Sequence, residues 1–83
     1  TVIQLLAPLT ADSPIARFIE RSGPGMQQLA LRVTDVASAA EQARALGLRT
    51  LYEEPKRGTN GALINFLHPK DCGGVLFELI EVK

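Results

Sequence analysis

The sequence predicts an α+β domain, with a strand and a helical link followed by strand, helix, strand, strand, strand. Three observations carry that order. Gly74 to Val82 is an almost wholly apolar run with β-branched and aromatic members and no Pro, which is a strand pattern. Val36 to Leu46 carries apolar residues at helical spacing between Asp35 and Gly47, a capped amphipathic helix. The intervening stretches are short apolar runs separated by Gly and Pro, as in strands joined by turns. With 83 residues, 46% hydrophobic and 22% charged, the chain has the makings of one small domain and not the composition of disorder.

Taken in order, Thr1 to Ala7 reads as a strand that Pro8 ends. Val2, Gln4 and Leu6 share one face, so Gln4 is a polar group between two aliphatic ones. It is either a half-exposed strand residue or part of a site. The run opens inside a strand pattern, with neither Met nor a basic segment. The expectation is therefore no signal peptide and an absent preceding portion. Ser13 and Pro14 mark a helix start, Ile15, Phe18 and Ile19 give it an apolar stripe, and Gly23-Pro24 stops it. Gly25 to Thr34 is the next strand. Leu29, Leu31 and Val33 form its helix-packing face, and Gln28, Ala30 and Arg32 the more polar one.

Asp35 then caps the main helix, whose buried stripe is expected to be Val36, Ala39, Ala40, Ala43 and Leu46. Leu48 to Tyr52 is a third strand. Glu53 to Gly61 is a polar loop with an Asn60-Gly61 turn, and Ala62 to Leu67 is a fourth strand. His68 and Cys72 fall in the turn before Gly74, where a solvated histidine and an unpaired turn cysteine are expected. In the last strand Leu76, Glu78, Ile80 and Val82 share a face. A carboxylate between large aliphatics needs a metal, a cation or a hydrogen-bond donor, unless the strand lies at an edge and the group reaches water.

Lys plus Arg and Asp plus Glu number nine each. This balance gives no reason to propose nucleic acid or an anionic membrane as a partner. No apolar run approaches ~18 residues, so no membrane-spanning helix is expected. A single Cys fits a reducing compartment. No phosphate loop, Cys/His cluster or Ser-His-Asp set is present.

Several segments together carry a resemblance: Ile3-Gln4-Leu5-Leu6-Ala7-Pro8-Leu9, Asp12-Ser13-Pro14-Ile15-Ala16, Tyr52-Glu53-Glu54-Pro55-Lys56, Asn65-Phe66-Leu67-His68-Pro69-Lys70 and Cys72-Gly73-Gly74-Val75-Leu76-Phe77-Glu78-Leu79. Along its whole length the chain resembles the C-terminal half of the methylmalonyl-CoA epimerase family, within the glyoxalase, or vicinal oxygen chelate, superfamily. The resemblance implies two βαβββ modules forming a curved mixed sheet, with helices on the convex face and a divalent metal (Co, Mn, Ni or Zn) in the hollow. By it, residues 1–9 are the last strand of an absent first module, residues 10–24 a helical connector, and residues 25–83 the second module. Gln4, Gln28 and Glu78 then take the metal-ligand positions of this chain, and Glu78 is also the catalytic acid/base.

The family's remaining His ligand and second catalytic Glu lie in the first module. Gln28 is a departure, because the family carries His there, and an amide oxygen is a weaker ligand than imidazole for a transition metal. The activity implied is interconversion of (2R)- and (2S)-methylmalonyl-CoA by removal and return of a proton. The acyl-CoA substrate and a homodimer, or pairing with the absent module, are implied as partners. A cytoplasmic or mitochondrial-matrix location is implied too. Gln28 keeps open a catalytically impaired or metal-free binding module, and the superfamily keeps open another glyoxalase-type lyase.

Overall fold

The structure is a computed structural model and describes Val2 to Glu81. Helix α1 spans Pro14–Ser22 and starts where the sequence places it. Ser13 sits in an extended conformation, and its hydroxyl accepts the Ala16 N–H at 3.1 Å, with Pro14 in the first turn. Gly23 ends the helix at φ +73, its N–H donating to the Ile19 carbonyl at 2.7 Å. A side chain would be strained there. Ile15 and Phe18 are only half-buried, and no residue of α1 is buried.

Strand β1 is Gln28–Val33, helix α2 Val36–Ala45, β2 Lys56–Arg57, β3 Leu63–Leu67 and β4 Leu76–Glu81. The sheet order is β1-β4-β3-β2, with β1 parallel to β4 and the other pairs antiparallel. The second part of the chain is thus a βαβββ unit with a mixed sheet, as the sequence predicts. Helix α2 covers the face carrying Val33, Phe77, Leu79, Leu63 and Leu67, and its own Val36, Ala40 and Ala43 are the residues it buries. At Ala40 and Ala43 the helix contributes only methyl groups to this layer, so the larger side chains of the sheet fill it.

Three expectations are corrected. Val2–Ala7 forms no strand and is exposed. An extended segment needs a neighbour to accept its ladder hydrogen bonds, and this one has none within the described residues. Thr1 and Val82, expected at strand ends, lie outside those residues. Leu46 is 80% exposed instead of completing the buried stripe. It falls at the helix cap, with Gly47 at φ +89 immediately after, so the helical face no longer continues through it.

The third correction concerns the strand expected over Leu48–Tyr52. It is reduced to a single bridge, Thr50 to Leu67, and the ladder resumes only at β2, within the stretch expected as loop. The cause is Asn65. Its side chain accepts the Tyr52 N–H at 3.2 Å and donates to the Tyr52 carbonyl at 3.1 Å. A side-chain amide thereby takes the place of a backbone partner. The chain takes six steps from Thr50 to Lys56 while β3 takes three from Leu67 to Ile64, so residues 51–55 bulge outward. Asn60, at φ 60, and Gly61, at φ 73, then make the expected turn.

Candidate active site

The face of the sheet opposite α2 has no buried residue among those described. Register decides which side chains meet on it. Gln28, Ala30 and Arg32 come from β1, Leu76, Glu78 and Ile80 from β4, Ile64 and Phe66 from β3, and Lys56 from β2. Glu78 occupies the centre, directly opposite Ala30 on one side and Phe66 on the other. Ala30 puts only a methyl group beside the half-buried Glu78. Gln28 Nε2 donates to Glu78 Oε1 at 2.7 Å across fifty residues of sequence. One carboxylate oxygen is thereby engaged and the group is oriented, while Oε2 remains for other chemistry.

On the other side an aromatic wall rises from Phe66. The Tyr52 ring meets it edge-on, with centroids 5.9 Å apart at 73°, and Lys56 Nζ lies 4.7 Å from the Tyr52 centroid. The bulge created by Asn65 brings Tyr52 to this position. Shallow hollows line residues 44–56, but neither includes Gln28 or Glu78. The site is an open sheet face and not an enclosed pocket.

Of the three residues proposed from the sequence, Gln28 and Glu78 are therefore in contact. Gln4 is exposed in the unpaired segment and makes no hydrogen bond to either. His68 and Cys72 are occupied in the turn. His68 Nδ1 accepts the Lys70 N–H at 3.2 Å, and Cys72 packs against the core. Sequence reasoning did not find Tyr52, Phe66 and Lys56 as one wall. Tyr52 and Lys56 lie in one segment and Phe66 in another, and only the Asn65 contacts to Tyr52 and the Lys56–Ile64 pairing bring them together.

As donors for a divalent ion, a Glu carboxylate and a Gln amide oxygen suit a hard, oxygen-preferring metal. Half a turn of the Gln28 amide would exchange Nε2 for Oε1 at a spacing that neighbouring donors in such a shell adopt. The pair thus fits as two ligands of a larger set. No group of three His, Cys, Asp or Glu residues that could hold a metal exists among the described residues.

Residues 1–66 match the model of the Glyoxalase/Bleomycin resistance protein/Dioxygenase superfamily. The chain belongs to this superfamily. Within it, the chain is similar to the human mitochondrial methylmalonyl-CoA epimerase, with 44% identity over 95% of this chain and 46% of that protein. The crystal structure of methylmalonyl-CoA epimerase from Mycobacterium tuberculosis superposes with a TM-score of 0.72 at 50% identity, over 92% of this chain and 51% of that one. A structure of methylmalonyl-CoA epimerase in complex with methylmalonyl-CoA and NH4+ gives 0.71 at 43%, over 89% and 51%. The chain spans about half the length of these relatives. Among superfamily members, its likeness is to methylmalonyl-CoA epimerases, and the βαβββ unit with its mixed sheet is the shared fold. Among the described residues, no helix is long and apolar enough to cross a membrane.

Proposed function

We propose that the chain is the second module of a methylmalonyl-CoA epimerase, with Glu78 exchanging the proton at the carbon between thioester and carboxylate. The observation that supports this most is the Gln28–Glu78 hydrogen bond at the centre of the uncovered face. A base must be held in one orientation and must be reachable by substrate, and this pair provides both. Glu78 Oε2 takes the proton. Gln28 fixes the carboxylate through Oε1, and Leu76 and Ile80 flank it with apolar surface. In this reading residues 1–9 are the last strand of a first module and residues 10–24 the connector. That first module carries the acid that returns a proton on the opposite face. The enzyme acts as a homodimer in the cytoplasm or the mitochondrial matrix.

Glu78, Gln28 and, once its strand is paired, Gln4 would hold a divalent metal of the set Co, Mn, Ni or Zn, of which Mn best suits these oxygen donors. When bound, the ion supplies Lewis-acid stabilisation of the developing enolate oxygen. The second reading is a metal-free or impaired module. The Gln28 amide favours it, since its N–H group faces the carboxylate where an imidazole ligand is expected.

The test is deuterium incorporation at C2 of methylmalonyl-CoA in D2O by the full-length protein. Exchange is expected, and Glu78→Gln is expected to slow it by about 10²-fold or more. Undiminished exchange in that variant removes Glu78 from the chemistry. Dialysis against a chelator and return of single metals then separates the two readings. Activity that is lost and restored supports the metal-bound form, and activity that persists supports the metal-free one.

A further inference from the structure

Arg32 has no role in the reading above, yet it shares the open face with Glu78. We infer that Arg32 is the residue that selects a dicarboxylic acyl thioester, by pairing with the free carboxylate of the substrate. The inference rests on the proposed function.

The register carries it. Ala30 is directly opposite Glu78 on β1, and Arg32 lies two residues further along the same strand, opposite Ile80. One strand spacing and a two-residue rise put the Arg32 and Glu78 Cα atoms about 8 Å apart. Side-chain alternation sends both to the uncovered face. Ala30 puts only a methyl group in that space.

Arg32 is exposed, and the ion pair seen among the described residues is Arg49–Asp71, so its guanidinium is not committed to a protein carboxylate there. Glu78 takes the Gln28 amide instead. Lys56, the other cation on this face, stands over Tyr52 on the far side of Phe66. Arg32 is thus the cation on the Ala30 side of Glu78.

The substrate's geometry matches that gap. In a malonyl-type thioester the carbon that loses its proton is bonded directly to the carboxylate carbon. With Glu78 on the proton and the carboxylate accepting two guanidinium hydrogen bonds of about 2.8 Å, base and cation stand roughly 6–7 Å apart. An arginine fork reaches that far and matches a carboxylate in two places, which a lysine does not. Without it, and with no metal on Glu78, a substrate carboxylate would approach that side chain as a like charge. A plain acyl thioester such as propionyl-CoA has no group for Arg32 to hold. It leaves the guanidinium solvated and gains nothing from it.

The experiment measures dissociation constants of methylmalonyl-CoA and propionyl-CoA by calorimetry, on the full-length protein with Arg32, Arg32→Met and Arg32→Lys. The Met variant is expected to weaken methylmalonyl-CoA by roughly 10- to 150-fold, the range of a charged hydrogen-bonded pair, and propionyl-CoA by less than about 3-fold. The Lys variant should recover part of the loss. Equal losses for the two thioesters, or none, overturn the assignment while leaving the epimerase reading intact. Failure of the unaltered protein to bind either thioester overturns both. Arg32 is exposed on β1, so the variants are expected to keep the wild-type melting temperature.

Discussion

Asn65 shows how one residue shapes a site from behind. It is fully buried on the α2 side of β3, yet its amide grips Tyr52 at both backbone groups, and Oδ1 also accepts the Phe66 N–H at 2.8 Å. Asn65→Leu keeps the volume but leaves the Tyr52 and Phe66 N–H groups without their acceptor. A loss of about 2–3 kcal/mol is expected, measured as a lower urea midpoint at unchanged slope. Tyr52 fluorescence should change with it, since the bulge that places the ring is gone.

Asp71 is a second case. Arg49 grips its carboxylate through Nε at 2.9 Å and Nη2 at 3.0 Å, and the Arg49 backbone N–H adds 2.9 Å. The Arg49 side-chain and then backbone hydrogen bonds lower its pKa from 3.8 to about 2. The folded form therefore binds its proton less readily than the unfolded chain. This contribution to stability is complete above about pH 4 and disappears as pH falls toward 2. Carbon-detected titration of the Asp71 carboxyl should show the low midpoint, and Arg49→Ala should return it toward 3.8. Neither Asn65 nor Asp71 stood out in the sequence, because their partners lie thirteen and twenty-two residues away. Glu78 was legible as a polar residue among aliphatics, Gln4 was singled out by the same signal but lies exposed and unpaired, and Gln28 came only from the family resemblance.

The elements divide along the same line. Local signals placed α1 and α2: Ser13 with Pro14, Asp35, Gly23 and Gly47 all act where the sequence put them. Strands β1, β3 and β4 were visible in their apolar runs. Strand β2 was not, because Lys56 and Arg57 look like loop and only pairing with Ile64 and Leu63 makes them a strand. The start of α2 combines both kinds of information. Asp35 accepts the Ser38 N–H at 3.2 Å, a local cap, while Glu81 reaches across from β4 to accept the Val36 N–H at 2.9 Å. Val36 is completely buried, so its N–H has little water to turn to. Asp35→Ala is expected to cost about 1 kcal/mol. Glu81→Ala should cost about 1–2 kcal/mol, because it also removes a negative charge from the positive end of the helix. Chemical denaturation of the two single variants and the double variant checks this. The double loss should fall short of or exceed the sum only if the two caps share the strain of one helix end.

At the scale of the whole molecule, the chain exposes more than its size warrants. Its accessible surface is 6359 Å², where a compact monomer of this length has about 4900 Å². Its radius of gyration is 13.6 Å, against about 11.8 Å for a folded domain. Large apolar residues are part of the excess: Ile3, Leu5 and Leu9 are 84%, 95% and 98% exposed, and β1 is an edge strand carrying the partly exposed Leu29 and Leu31. Apolar surface of this kind together with an unpaired edge favours association. The 83-residue chain is therefore expected to self-associate, with its weight-average mass in sedimentation rising above the monomer value between about 1 and 100 µM. Ile3→Glu with Leu5→Glu should weaken that association without lowering the melting temperature of the isolated fold, because the 2–9 segment contributes no buried residue to it. Leu31→Lys blocks the edge strand instead and separates the two surfaces. A chain that stays monomeric throughout the concentration range would show that these apolar residues are tolerated in water, and that neither the segment nor the edge recruits a second copy.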